Sequence, residues 1–259
     1  MNLSVVQNGA RASLALDPFP HAIIDPALPW DAYERLAAEY PEALVIEQER
    51  DEQGHTCRYR GARALREGRI PRLWESFVRQ NTSTAFFRDL VALLEPALQR
   101  FYPERLPFLR SSTTALRQAG TADMDLECQF VVNLPSQETV RSAHLDNPRE
   151  LYAVLFYMRS AEDDATGGDL ELYEKVEAGV RYGPRREADP TQLRRVAQVP
   201  YAANRAVVFL NTPASFHGVS PRRGGTVNRR YMNIIAELPR KKGLLGRKKT
   251  TPWFEIQAS

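Results

Sequence analysis

The sequence predicts a mainly β protein: a jelly-roll core with N-terminal α-helices packed on it. Three observations lead there. From about residue 108 the chain breaks into short apolar or alternating segments rich in β-formers. Turns containing Gly, Pro and Asn separate those segments. Ahead of them, apolar residues recur at helical spacing. With 259 residues, 43% hydrophobic content, three Trp and eleven Phe, the chain can bury a sizeable core, and eighteen Pro with fourteen Gly suit a turn-rich fold.

In order, Pro18-Phe19-Pro20-His21 leads into Ala22-Ile23-Ile24, a short apolar strand turned by Asp25-Pro26. His21 has no potential partner ligand near it and reads as structural. Leu28-Pro29 opens a helix over Trp30–Glu39, with Leu36 and Tyr40 on one face and Pro41 ending it. Residues 46–72 are polar, Arg-rich and punctuated by Gly54, Gly61 and Gly68; they read as a long loop or a lid over a site, with His55 exposed. Leu73–Arg100 is helical, interrupted near Asn81-Thr82-Ser83, with Phe77, Phe86, Phe87, Leu90 and Leu94 as its core stripe. Strands are then expected at Thr113–Gln118, Leu126–Leu134, Leu151–Met158, Asp169–Tyr173, Ala206–Phe209 and Arg229–Glu237, a series that suits a jelly roll or barrel. Arg181–Arg195, charged and with two prolines, reads as an insertion between strands. The expected organisation is one domain over 1–238, with strand and helical support at about 18–105 and the jelly roll at about 108–238, then a basic tail over 239–259.

Charge and cysteines narrow the function classes. The net charge is +3, but the tail carries six Lys/Arg against one Glu, so the rest of the chain is slightly acidic and no general polyanion binder. A nucleic-acid partner is therefore not expected, and the tail reads as a solvated, mobile terminus. Cys57 and Cys128 have no metal-type spacing and suit reduced thiols in a reducing compartment. Met1–Ala12 lacks a basic region followed by an apolar run, and no apolar stretch approaches the ~20 residues of a membrane span. A cytoplasmic protein without a membrane span is expected; no oligomeric state follows.

The chemistry lies in His144-Leu145-Asp146 and, far downstream, Phe209-Leu210-Asn211 through His217-Gly218-Val219. A strand sends residues i and i+2 to one face, so His144 and Asp146 can share a metal, and His217 from a distant strand completes a facial triad. Only four histidines exist in the chain, and two fall at these places. Three protein ligands leave three positions of an octahedral Fe(II) for a cosubstrate and O₂. Arg229 and Arg230 open the strand Tyr231-Met232-Asn233-Ile234-Ile235, and one of the two would point inward, where its planar fork suits a carboxylate. Arg141, Asn147 and Arg149 flank the triad and could line an outer pocket, the arginines suiting an anionic substrate.

These segments resemble the Fe(II)/2-oxoglutarate-dependent oxygenases, and among them the prolyl-hydroxylase-type group. The likeness rests on His144-Leu145-Asp146-Asn147-Pro148, Leu155-Phe156-Tyr157-Met158, Gly167-Gly168-Asp169-Leu170, Val208-Phe209-Leu210, His217-Gly218-Val219-Ser220-Pro221 and Arg230-Tyr231, with Pro18–Asp25 similar to the group's N-terminal strand. The resemblance implies a double-stranded β-helix core. It implies His144, Asp146 and His217 as iron ligands and Arg230 and Tyr157 on the distal carboxylate of 2-oxoglutarate; where relatives often place a tyrosine on the strand before His-x-Asp, this chain offers Asn133 or Leu134, and Asn133 could supply a polar contact to the cosubstrate. It also implies Fe(II) as cofactor, 2-oxoglutarate as cosubstrate and ascorbate as a stimulant. The reaction implied is hydroxylation of an unactivated C–H bond in a small-molecule or peptidyl substrate, with O₂ consumed and succinate and CO₂ released. Asp146 speaks against halogenation, since halogenating relatives replace this carboxylate with a small residue. Beside that substitution, two further departures stand out: Met232 where a hydroxyl residue is frequent, and a longer spacing from His217 to Arg230 through Arg222–Val227, which leaves Arg229 and Arg230 both eligible. The rival readings are a cupin-type metalloenzyme, for which histidines are too few, and a non-catalytic jelly-roll binding module.

Overall fold

The computed structural model describes residues 1–9, 12–48, 50–51, 55–117, 122–135, 141–177, 180, 186–239, 241–242, 248–249 and 252–255. The N-terminal part runs β1 (Leu14–Ala15), β2 (His21–Ile24), α1 (Trp30–Ala38), α2 (Glu42–Ile46), β3 (Thr56–Arg60), α3 (Gly61–Glu67), α4 (Arg72–Asn81), α5 (Thr84–Leu93), α6 (Glu95–Phe101) and α7 (Leu106–Ser111). The remainder is β4 (Thr114–Leu116), β5 (Met124–Asn133), β6 (Arg141–His144), β7 (Glu150–Tyr157), β8 (Leu170–Lys175), β9 (Leu193–Val199), β10 (Ala206–Leu210), β11 (His217–Val219) and β12 (Arg229–Glu237), with a short pair β13 (Lys241–Lys242) and β14 (Lys248–Lys249).

Two sheets face each other. The larger has the order β1-β2-β10-β7-β12-β5-β3, with β4 parallel to β5; the smaller has the order β6-β11-β8-β9. The remaining pairings within both are antiparallel. This is the expected jelly-roll arrangement. Alternation along each strand of the large sheet divides its side chains between two environments. On β12, Met232, Ile234 and Ala236 join the core under the helices, whereas Tyr231 and Ile235 pack between the sheets. On β10, Ala206, Val208 and Leu210 face the helices, and Val207 and Phe209 face the small sheet.

The helical layer forms where its apolar stripe meets this sheet. Trp74 and Phe77 of α4 and Phe86, Phe87 and Leu90 of α5 are buried. Trp74 stacks edge-on to Phe130 of β5 (5.1 Å) and to Tyr40 (5.4 Å), and its indole N–H donates to the Leu36 carbonyl (3.1 Å). The break at Asn81-Thr82-Ser83 falls where the sequence places it. Ser83 caps α5 by accepting from the Phe86 N–H (3.1 Å), satisfying one of the free donors of the first turn. Among the described residues, no helix is long and apolar enough to cross a membrane.

Three expectations need correction. Residues 46–72, of which 49 and 52–54 lie outside the described residues, are not one long loop or lid: β3 completes the edge of the large sheet and α3 follows at once. Cys57 and Tyr59 face the helical core while Thr56, Arg58 and Arg60 face the other way, so this strand reads as polar because its inner face lines a cavity. Gly61 permits the tight strand-to-helix turn, since a Cβ there would lie 2.4 Å from the Cys128 carbonyl oxygen. Within Arg181–Arg195, residues 181–185 lie outside the described residues, and Leu193 begins β9 rather than ending an insertion. The charge of β9 is used in cross-strand pairs, Arg194 with Glu174 and Arg195 with Glu171. The tail is not wholly solvated either. Trp253 and Phe254 are buried, and the Trp253 N–H donates to the Pro148 carbonyl (2.7 Å).

Trp74→Ala should cost about 3–5 kcal/mol through the cavity it leaves between α4 and β5. Denaturant unfolding of the two proteins checks this.

Candidate metal and cosubstrate site

His144 ends β6 and His217 begins β11, and the register of these paired strands sets them opposite one another. Their rings are 4.4 Å apart, and Asp146 faces both, with carboxylate oxygens 3.4 Å from His144 Nε2 and 3.6 Å from His217 Nε2. Ligand atoms of the three residues all lie within 4.8 Å of one another. The structure thus brings together all three ligands proposed from the sequence. Each ring is oriented by its other nitrogen. His144 Nδ1 bonds the Ser142 carbonyl (2.8 Å) and His217 Nδ1 the Ser215 carbonyl (2.9 Å). A carbonyl only accepts, so both Nδ1 atoms carry the proton and both Nε2 lone pairs are free to bind metal.

The electrostatics fit a divalent cation. Burial pushes His144 down to about 3 and also lowers His217, so both imidazoles are neutral and need no deprotonation. Burial alone would raise Asp146, but its close neighbours His217, His144 and Arg141 outweigh it and hold the carboxyl well below its ordinary range, with Arg141 the one cation among them at neutral pH. His144 Nε2 is buried and has no hydrogen-bond partner. Two neutral imidazoles and one carboxylate match the facial donor set that suits non-haem Fe(II).

The triad opens onto a cavity of about 300 Å³ between the two sheets. Two of its lining residues, Asn133 and Tyr231, touch a buried guanidinium that lies behind the lining. That guanidinium belongs to Arg229, which is 1% exposed. Its Nε donates to the Gly168 carbonyl (2.9 Å) and its Nη1 to Asn133 Oδ1 (3.1 Å). The rings of Tyr231, Tyr201 and Tyr157 surround it at 4.6, 4.7 and 5.2 Å. Arg229 Nη2 and the Tyr157 hydroxyl are both buried without a partner. Burial raises the Tyr157 phenol far above its ordinary value, so it is a proton donor at neutral pH.

The sequence expectation for Arg230 is revised here. Arg230 pairs across the strands with Val132, on the face that carries Met232 and Ile234 toward the helices. Its guanidinium reaches Glu42 of α2 (3.3 Å) and lies over the Tyr40 ring. The inward position belongs to Arg229, opposite Asn133. The extra residues before β12 have a use: Arg222 forms a buried ion pair with Asp163 and donates to the Val227 carbonyl (2.6 Å), bracing the loop. The Gly167-Gly168 turn completes the setting. Gly167 has φ 77° and a Cβ there would meet the Pro221 carbonyl at 2.1 Å, while Gly168 supplies the carbonyl for Arg229.

Of the outer-pocket residues, Arg141 and Asn147 line the cavity, and Arg149 does not. Arg149 is buried beside Glu237 (3.6 Å), and it exchanges hydrogen bonds with Leu238 just beyond β12. Sequence reasoning missed Arg58, Arg60, Arg117 and Arg186 in the lining, and Tyr201 in the aromatic cage. The alternation Thr56, Arg58, Arg60 was the available signal for the first two.

Residues 129–235 match the family described as the 2OG-Fe(II) oxygenase superfamily. That segment holds all three members of the triad, Asn133, Tyr157 and Arg229. No curated protein matches the sequence. Among solved structures, a Pseudomonas putida prolyl-4-hydroxylase is 16% identical, covering 91% of this chain and 98% of its own, with a TM-score of 0.49. A Trichoplax adhaerens prolyl hydroxylase, solved with a hypoxia inducible factor peptide, is 14% identical over 84% and 83% of the two chains, with a TM-score of 0.45. HygX from Streptomyces hygroscopicus, solved with nickel and 2-oxoglutarate, is 12% identical over 90% and 91%, with a TM-score of 0.42.

Two outcomes are expected of the metal-free and metal-loaded protein. A divalent metal at about a hundred times its Kd should raise Tm by about 5–10 °C, and Asp146→Ala should abolish the rise; thermal melts with and without Ni(II) test it. The second concerns pH. In the folded, metal-free protein His144 stays neutral down to about 3, whereas unfolded His takes up a proton near 6.5. The unfolded state therefore binds more protons, and stability falls as pH drops below about 6.5, by up to about 1.4 kcal/mol per unit for this residue. Urea titrations between pH 7 and about 5 should show the slope, and His144→Phe should reduce it.

Proposed function

We propose, from the premise that residues 129–235 form a 2OG-Fe(II) oxygenase domain, that this chain is a hydroxylase acting on an unactivated C–H bond. When bound, Fe(II) and 2-oxoglutarate supply the oxidising chemistry, in which O₂ is consumed, the cosubstrate leaves as succinate and CO₂, and one oxygen atom goes to the substrate. The protein supplies binding and orientation. His144, Asp146 and His217 hold the metal through His Nε2 and carboxylate oxygens, with their rings fixed by Ser142 and Ser215. Arg229 takes the distal carboxylate of 2-oxoglutarate, with the Tyr157 hydroxyl donating to the same group. Asn133 and Gly168 set the guanidinium plane.

One observation carries the cosubstrate reading: Arg229 Nη2 and the Tyr157 hydroxyl, two buried donors without partners, lie close together behind the lining of the cavity that contains the triad. An unmade hydrogen bond of a buried donor is costly, so these donors suit a bound anion. Leu155, Leu170 and Phe209 add an apolar portion to the otherwise polar lining. The cavity suits a small molecule or one side chain of a peptide. The two free, buried thiols suit a reducing compartment, in keeping with a cytoplasmic location.

Anaerobic titration of the Fe(II)-loaded protein with 2-oxoglutarate, followed by its visible charge-transfer band, tests this reading. Arg229→Ala should weaken cosubstrate binding by about 3 kcal/mol, roughly a hundredfold. Arg230→Ala, which loses only the Glu42 pair and the Tyr40 contact, should leave it nearly unchanged. The reverse order would reject Arg229 as the anchor, and no band with folded, iron-loaded protein would reject the oxygenase reading.

A further inference from the structure

The wall of the cavity in front of the triad carries guanidinium groups that the steps above do not use. Arg58 and Arg60 lie two residues apart on β3, so both face inward, opposite Val131 and Gln129 of β5. Arg141 enters from β6. Arg186 stands beyond Asp146, its backbone in the left-handed region (φ 64°) and its Nε donating to the Leu145 carbonyl (3.1 Å). Arg117 is a fifth lining arginine, but Glu237 meets its charge at 2.7 Å.

The charges do not cancel. A divalent metal, the Asp146 carboxylate, the two carboxylates of 2-oxoglutarate and Arg229 together sum to zero. What is left in the lining is Arg58, Arg60, Arg141 and Arg186, opposed by Glu150. Among the described residues, Arg58, Arg60 and Arg186 form no ion pair within 4 Å, although Asp51 lies near Arg58 and Glu127 near Arg60, and Arg141 has only a 3.9 Å approach to Asp146. Like charges held around one small, partly desolvated space repel, and a bound anion relieves that repulsion. Guanidinium forks match the planar oxygens of carboxylate and the oxygens of phosphate with paired hydrogen bonds.

We infer that the substrate is a small anion, whose carboxylate or phosphate group is held by Arg58, Arg60, Arg141 and Arg186 while the carbon to be oxidised lies at the metal. A cavity of about 300 Å³ is at the small end for ligand sites. A neutral peptide segment would leave the excess positive charge of this wall unrelieved. The fate of the bound molecule rests on the oxygenase reading; the anion site itself rests on the cavity wall alone.

The test is calorimetric titration of the protein loaded with Ni(II) and saturating 2-oxoglutarate, and in parallel of the metal-free protein. Three probes are used: inorganic phosphate, the tricarboxylate tricarballylate, and an uncharged, doubly blocked proline tripeptide. Saturable binding of phosphate or tricarballylate is expected, weakening with salt. It should be weaker by about tenfold or more in Arg58→Gln/Arg60→Gln and in Arg141→Gln, and unchanged in Arg63→Gln, an exposed arginine of α3 outside the cavity. The tighter of the two anions assigns the group as phosphate or carboxylate. The proposal is overturned if neither anion binds saturably, if the cavity variants bind as the parent does, or if only the neutral tripeptide binds. Loss of the 2-oxoglutarate charge-transfer band with Arg58-dependent anion binding intact would remove the oxygenase reading and leave the anion site standing.

Discussion

Arg229 sets a guanidinium inside the protein, and a buried charge costs several kcal/mol unless the surroundings meet it. The surroundings are built accordingly. Three tyrosine rings present their faces to it, Gly168 and Asn133 accept two of its hydrogens, and Asn133 is held in turn by its own Nδ2 donating to Thr56 (3.1 Å). The Gly167-Gly168 turn exists in this form because only residues without a Cβ bring that carbonyl so close. The Arg222–Asp163 pair braces the same loop from the far side. Four separate stretches of chain therefore converge on one side chain, and one of its donors is still left for a ligand.

The metal triad depends on a different constraint, the pairing of β6 with β11. Antiparallel register puts His217 opposite His144, and each ring is locked by a carbonyl two residues back. The same local device serves both histidines, so two rings from distant parts of the chain present equivalent nitrogens to one point. Phe209 packs against the His217 ring at 4.6 Å and closes the site from the large sheet. Preorganisation of this kind leaves little for a metal to rearrange on binding.

The large sheet separates two tasks by alternation. One face of β5, β7, β10 and β12 supplies the apolar bed for α4 and α5, where Trp74, Phe77 and Phe130 interlock. The other face supplies the cavity. Stability and chemistry thus sit on opposite sides of the same strands, and adjacent residues such as Arg229 and Arg230 have unrelated roles. At the edge, β3 repeats the division in five residues: Cys57 and Tyr59 in the core, Thr56, Arg58 and Arg60 in the cavity wall.

What the sequence by itself determined was whatever local periodicity and rare residues encode. The helices from Arg72 to Phe101, their break at Ser83 and the apolar strands were legible because their patterns are those of burial on one face or both. The triad was legible because histidine is scarce here and the i, i+2 spacing of His-x-Asp suggests two ligands on one side, although β6 ends at His144 and Asp146 lies just beyond the strand. Tertiary structure alone decided which face of β12 looks inward: alternation says that Arg229 and Arg230 diverge, but the cavity side is set by the neighbouring strands and by the helices on the far face. The same reason hid β3, whose arginines look like loop composition until a cavity is known to lie in front of them. It also misplaced Arg149, whose surroundings at Glu237 and Leu238 come from residues far away in the chain. Long-range pairing of strands leaves no local trace, and that pairing chose which charges meet one another and which are left for a ligand.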